Sequence, residues 1–291
     1  MEESAIKFKT ASKEQMPLLR QDESEGRIFP YLYYPLLEKT GMVKHCFTTR
    51  MGGVSKGIFE SLNLSFTRGD ERAAVEENFR RVSWALGIEY KNFVFTDQTH
   101  TTNVRRVGRE DAGKGLIRER GYTDVDGLIT DEPGLILSTF YADCVPLYFV
   151  DTKHRAIGLS HSGWRGTVGR MGEATLRAMQ REFQTEPKDV VCAIGPSICQ
   201  NCYEISEDVA MEFQKEFPQY INEILLEKGQ GKYQLDLWRT NEIVLLEAGI
   251  MQEHLSVTNI CTCCNEKLLF SHRASQGRRG NLGAFLCIKE V

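Results

Sequence analysis

Three residues far apart in the chain carry the donor types of a metal centre. His100 closes the run Thr96-Asp97-Gln98-Thr99-His100, Cys144 lies in Tyr141-Ala142-Asp143-Cys144-Val145-Pro146, and His161 opens His161-Ser162-Gly163-Trp164-Arg165-Gly166. Imidazole and thiolate together suit zinc, and three protein ligands leave a fourth tetrahedral position for water. Zinc can bring that water's pKa from about 15.7 to roughly 7. Spacing alone leaves a core role open for each, since a free cysteine is among the most buried residue types. The turn after His161 favours a site: Gly163 and Gly166 admit close backbone approach, and the helix start that follows offers free N–H groups to an anion.

Other residues could hold or work on a substrate. Arg50, in a loop punctuated by Gly52, Gly53 and Gly57, and Arg165, at the helix start, carry the paired donors that suit phosphate. Asn63 could hydrogen-bond a ligand, and Asp143, beside the proposed Cys144 ligand, could move a proton. Each has a plainer alternative: a solvated arginine, an ion-paired arginine, a turn-capping asparagine, a structural carboxylate. Cys199 and Cys202 form one C-x-x-C, and Cys261 and Cys264 a second within Cys261-Thr262-Cys263-Cys264. Together they would suit a four-thiolate structural zinc site, while a redox pair or simple core packing stays open. His45 and His272 could line a pocket but suit structural roles better; His154 and His254 read as exposed.

These residues need elements to position them. Val43–Arg50 reads as a strand, and Glu71–Leu86 as a helix, with Val75, Phe79, Val82 and Leu86 on one face and Gly87 as its cap. Further strands are expected over Asn92–Thr99, Val125–Thr130, Leu135–Val150 (with a break), Ala156–Ser160, Asp189–Ile194, Leu255–Ile260 and Ala284–Ile288. Helices are expected over Thr167–Phe183, Ser206–Phe217 and Trp238–Ala248. Arg105–Tyr122, charged and interrupted by glycine, reads as an exposed, mobile loop. Residues 1–30 read as a polar lead or edge element and 31–291 as one catalytic domain. Mixed strands and helices without strict alternation point to an α/β fold, a mixed α+β sandwich.

The bulk numbers exclude several classes. In 291 residues, 41% hydrophobic and 26% charged content is that of a globular protein. A net charge of -4 gives no reason to expect a nucleic-acid or membrane partner. Residues 1–13 lack an apolar h-region, and nine cysteines do not read as a secreted disulfide framework, so the expected location is cytoplasmic. There is no phosphate-binding Walker loop and no dinucleotide fingerprint.

The motifs HSGWRGT, ADCVPL, Gly195-Pro196-Ser197-Ile198 with Cys202-Tyr203-Glu204, TTRMGGVSKGIFESLNLS, and a tail of Cys261-Thr262, Phe270-Ser271-His272-Arg273 and Gly277-Arg278 are all present. In this they resemble the YfiH-type laccase-domain family from about Phe47 to about Phe285. The resemblance implies a cysteine-hydrolase-like α/β sandwich and a zinc site at His100, Cys144 and His161. It also implies phosphorolysis of adenosine, inosine and methylthioadenosine, with adenosine deaminase activity beside it. Purine nucleosides and phosphate are the expected small-molecule partners, and either a monomer or a homodimer is compatible. For deamination, the H-x-E and P-C-x-x-C motifs of known zinc deaminases are lacking around the three ligands, which leaves Asp143 as the candidate shuttle. Some family members have been described as copper-dependent polyphenol oxidases, so copper is the rival metal, although six histidines are few for a laccase-type set. A metal-free Cys144–His161 hydrolase is the other rival.

Overall fold

The computed structural model describes residues 6–12, 16–24 and 27–290. Its first strands, β1 (Leu18–Ser24) and β2 (Arg27–Tyr33), form an antiparallel hairpin, so the sheet already takes in part of the segment read as a lead. After α1 (Pro35–Glu38) come β3 (Val43–Thr48) and α2 (Arg72–Leu86), which ends on Gly87 in the left-handed conformation, the geometry that favours glycine at a helix end. Five strands follow: β4 (Phe93–Phe95), β5 (Val104–Arg106), β6 (Gly127–Thr130), β7 (Ile136–Tyr141) and β8 (Val145–Asp151). Strand β9 (Ala156–Ser162) leads into α3 (Trp164–Val168) and α4 (Met171–Phe183). The one helix expected over 167–183 is thus two. They part at Gly169 and Arg170, where the missing Cβ of Gly169 makes room for the Thr102 methyl and Arg170 turns left-handed.

The remaining chain contributes β10 (Val190–Ile194), β11 (Glu204–Ser206), α5 (Glu207–Glu216), α6 (Ile221–Ile224), β12 (Leu225–Gly229), β13 (Lys232–Leu235), α7 (Leu237–Glu247), β14 (Leu255–Val257) and β15 (Leu282–Ile288). One six-stranded sheet runs β1-β2-β3-β15-β7-β4 and a second β14-β10-β8-β9-β6-β5, while β11-β13-β12 form a small third.

The two large sheets pack face to face, and their strands are apolar on both sides because both faces are covered. Along β8, Tyr148 and Val150 point between the sheets toward Phe47, Leu137 and Leu286, whereas Val145, Leu147 and Phe149 point outward under α4 and α7. Along β15, Leu286 and Ile288 face the inter-sheet core and Phe285 and Cys287 face α2, whose Phe79 packs edge-on against Phe93, Phe140 and Phe285. The result is a helix–sheet–sheet–helix sandwich, the α/β architecture expected from the sequence. Strand β7 belongs to one large sheet and β8 to the other, so the three residues between them, Ala142-Asp143-Cys144, cross from sheet to sheet.

Segment 105–122 is better anchored than its sequence suggests. Val107, Asp111 and Leu116 are buried, and the Asp111 carboxylate accepts from the Gly108 N–H and from Lys114 Nζ.

Candidate metal centre

The structure brings His100, Cys144 and His161 together, with one donor atom from each within 4.8 Å of the others. They arrive from different elements: His100 follows β4, Cys144 sits at the sheet crossover, and His161 lies within β9. His161 is buried, Cys144 half-buried and His100 exposed.

Asp126 organises the group, and the sequence reading missed it. Fully buried at the start of β6, it accepts a hydrogen bond from His161 Nδ1 at 2.7 Å, which turns the other ring nitrogen toward Cys144. Its carboxylate also accepts the backbone N–H groups of Thr99 (3.1 Å), His100 (3.1 Å) and Thr101 (2.9 Å). Three successive N–H groups converging on one carboxylate fix the turn in which His100 adopts φ 67°. Burial pushes the Asp126 carboxyl up, but His161 and the Thr101 and Thr99 N–H groups outweigh it and hold it below the usual range. Burial likewise opposes the Cys144 thiolate, yet the adjacent His161 and His100 bring its pKa down to about 6. His161 is held at about 9, against burial, by Cys144 and Asp126.

A carboxylate–histidine–ligand arrangement of this kind is how metal-binding imidazoles are oriented, and thiolate with imidazole fits zinc. A multicopper centre needs many imidazoles. Among the described residues only His100 and His161 are brought to a common point with a third donor, so the residues present do not fit one. Gly163 closes against the cluster: a Cβ there would lie 2.9 Å from His100 Cδ2 and 3.1 Å from Cys144 Sγ.

The three donors open into a cavity of about 1070 Å³. Phe95, Phe140 and Tyr122 supply aromatic wall, and Arg68, Arg72, Arg118, Arg120 and Arg279 supply positive charge. Arg279 is buried and its Nε has no hydrogen-bond partner. Burial and the charge of Arg68 lower its pKa to about 10, with Asp143 and Cys144 opposing. The Arg279 Nη1 donates to the Gly280 carbonyl and Asn281 Oδ1, both neutral, so no carboxylate among the described residues bonds it, and a buried cation without a counter-ion favours an anion beside it.

The other expected site residues do not line the cavity. Arg50 is not in the cavity wall; its guanidinium donates to the carbonyls of Glu60 and Glu266 and covers the Phe270 ring, which ties the glycine-rich loop to the tail. Asn63 is buried and bonded to the Ser65 carbonyl, Asp70 and the Asn281 N–H. Asp143 uses one carboxylate oxygen to accept from Thr262 Oγ1 (2.6 Å) and the other from the Arg273 N–H (2.7 Å). Arg165 is exposed beside the Trp164 ring, outside the cavity lining. Arg279 follows Arg278 in a basic pair before Gly280, but only the fold shows that one of the two turns inward.

The family model described as multi-copper polyphenol oxidoreductase laccase matches residues 44–289, most of the chain. The chain belongs to that family. It is 37% identical over 244 residues to purine nucleoside phosphorylase YlmD of Geobacillus stearothermophilus, covering 84% of this chain and 89% of that one. It is 36% identical to a purine nucleoside phosphorylase of Bacteroides thetaiotaomicron, covering 83% and 90%. The crystal structure of the Geobacillus YlmD superposes with a TM-score of 0.85 at 34% identity, covering 93% of this chain and 99% of that one. The Bacillus licheniformis protein YfiH does so with a TM-score of 0.85 at 32% identity, covering 89% and 96%. No described helix is long and apolar enough to cross a membrane.

Proposed function

We propose that the chain is a zinc-dependent purine nucleoside phosphorylase acting on adenosine, inosine and S-methyl-5'-thioadenosine, with adenosine deaminase activity at the same site. One observation carries the reading: a single cavity holds both the His100–Cys144–His161 cluster and the buried, poorly paired guanidinium of Arg279. The names of the relatives support it. Bound at His100, Cys144 and His161, zinc would supply a Lewis acid at the base of the cavity.

The chain's own residues have distinct tasks in this reading. Arg279, with Arg68 at the exposed rim, binds phosphate through charge-assisted hydrogen bonds and so takes the role that the sequence suggested for Arg50 and Arg165. Phe140 and Tyr122 hold the purine and keep water from its face. A phosphate oxygen forms its bond to C1′ of the ribose as the C1′–N9 bond breaks, giving the free base and (methylthio)ribose 1-phosphate. For deamination, Asp143 has both carboxylate oxygens engaged, and His161, with one ring nitrogen bonded to Asp126 and the other offered to zinc, would be neutral in the loaded site and serve as a ligand alone.

The experiment is product analysis with adenosine, with and without phosphate. Adenine and ribose 1-phosphate formed only with phosphate, and inosine plus ammonia formed without it, are expected. No phosphate-dependent base release would overturn the phosphorylase reading.

A second reading has its own observation. Cys144, His161 and Asp126 also form a thiolate–imidazole–carboxylate series, the layout of a cysteine hydrolase. Full turnover by protein stripped of metal would favour that reading.

A further inference from the structure

A second cluster of four donors lies apart from the cavity. Cys199, Cys202, Cys261 and Cys264 place all four sulfurs within 4.8 Å of one another. They come from two C-x-x-C turns on neighbouring parts of one sheet edge: the first follows β10, the second follows β14, and these two strands pair in parallel. The turns are joined by an isolated bridge between Ser197 and Cys261 and by the Thr262 N–H to the Ser197 carbonyl. Two backbone N–H groups, of Cys199 (3.3 Å) and Cys264 (3.4 Å), aim at Cys261 Sγ. Such N–H···S contacts stabilise a charged sulfur. No pair is joined as a disulfide, and the Cys202 and Cys264 sulfurs stand 3.5 Å apart.

We infer that Cys199, Cys202, Cys261 and Cys264 bind one zinc ion in a closed, structural four-thiolate site. Two C-x-x-C turns converging on one point give the tetrahedral sulfur set that such a site requires, with no position left for water. Core packing alone does not explain the arrangement, because Cys264 is exposed and Cys199 and Cys202 are half-buried. Cys261 is buried in the core and Cys199 and Cys202 pack at its margin, but such packing does not by itself bring four unlinked sulfurs to one point.

The site would brace the candidate active site from behind. Thr262, between two of the ligands, donates to the Asp143 carboxylate, and Ile198, just before Cys199, donates its N–H to the Asp143 carbonyl. Arg273 completes the link: its N–H meets Asp143 while its guanidinium meets the carbonyl of Cys202. Asp143, held at φ 89°, immediately precedes Cys144. The four-thiolate ion therefore fixes the crossover from which Cys144 projects, acting as a positioning element and not as a reactant.

The test is metal stoichiometry on full-length protein purified under reducing conditions, for the wild type, His161→Ala and Cys202→Ser/Cys264→Ser. Two zinc equivalents per chain are expected in the wild type. His161→Ala should keep the cysteine-bound equivalent whether or not the protein turns over nucleosides. In the same His161→Ala protein, cobalt in place of zinc should give the intense thiolate-to-metal bands of a four-sulfur site, a readout that does not depend on the serine variant folding. The double serine variant should lose one equivalent and those bands. A His161→Ala protein with no metal, a Cys202–Cys264 disulfide found by mass analysis after alkylation, or iron in place of zinc would each overturn the assignment.

Discussion

Asp126 and His161 are joined twice: the Asp126 carboxylate accepts from the His161 ring at 2.7 Å, and its backbone carbonyl accepts the His161 N–H at 2.8 Å. Ring and main chain are thus held by one residue. Asp126→Asn should keep the main-chain link but weaken the ring's orientation, lowering zinc affinity by about 10- to 100-fold, as loss of such outer partners does. Chelator competition measures this, and wild-type affinity in the variant would show that Asp126 does not orient the ligand.

Gly163 should tolerate no side chain. Its φ of -74° is ordinary, so the constraint is space alone: the added Cβ would press on His100 and Cys144. Gly163→Ala should fold with a melting temperature near that of the wild type while turnover falls by about 100-fold, the scale set by a displacement of about 1 Å at a reacting centre. Unchanged activity would show that the cluster can shift without consequence.

Arg279 should separate stability from activity. Arg279→Met removes a buried, poorly paired cation and should raise the melting temperature. It should also raise the KM for phosphate by about 10- to 100-fold, from the roughly 1.5–3 kcal/mol of a hydrogen bond to a charged group, and spare deamination. Arg50→Ala, by contrast, should lower the melting temperature and reduce both activities alike, because its donors hold the Glu60 and Glu266 carbonyls. Phosphorolysis lost selectively in Arg50→Ala and not in Arg279→Met would reverse the assignment.

His45 should make the fold acid-sensitive. Buried between the Tyr34 and Tyr148 rings, its Nε2 accepts the Tyr34 N–H at 2.8 Å. Burial, reinforced by the charges of Arg20 and Lys289, pulls its pKa down from 6.5 to about 3. The unfolded chain then binds more protons between those values, so the stability this residue contributes is complete above pH 6.5 and is lost as pH falls toward 3. The loss amounts to roughly 2 kcal/mol at pH 5. Urea unfolding of the wild type and of His45→Gln at pH 7 and pH 5 isolates it: the glutamine variant should lose about that much less on acidification, and equal losses would exclude His45 as the source.

Much of this is legible in the residues, for identifiable reasons. Helix α2 follows from Val75, Phe79 and Val82 on one face and from Gly87, and β7, β8 and β9 from the apolar runs over 135–150, broken in the middle, and 156–160. The β12–β13 hairpin is not legible, because it is mostly solvated and shows no alternation between inside and outside. At the site, residues with metal-donor chemistry identify themselves by type, and the fold groups His100, Cys144 and His161. Asp126 does not, since a lone aspartate at a strand start resembles any turn residue until its partners are placed. Arg50 and Asn63 invite a ligand role because they lie in or near a glycine-rich loop. Such a loop is as readily a structural tie as a ligand cradle, and in this fold their polar atoms are taken up within the protein.

The crossover at Cys144 gives the metal centre a mechanical meaning. His100 is carried by the end of one large sheet, His161 by a strand of the other, and Cys144 by the only three residues joining β7 to β8. A cation held by all three would tie the two sheets together at the end of the sandwich where β7 crosses to β8, so sliding one sheet over the other there would strain a coordination bond. Release of the ion would then be an early sign of unfolding, and the stability of the folded chain would rise with the logarithm of the free-metal concentration once that exceeds the dissociation constant.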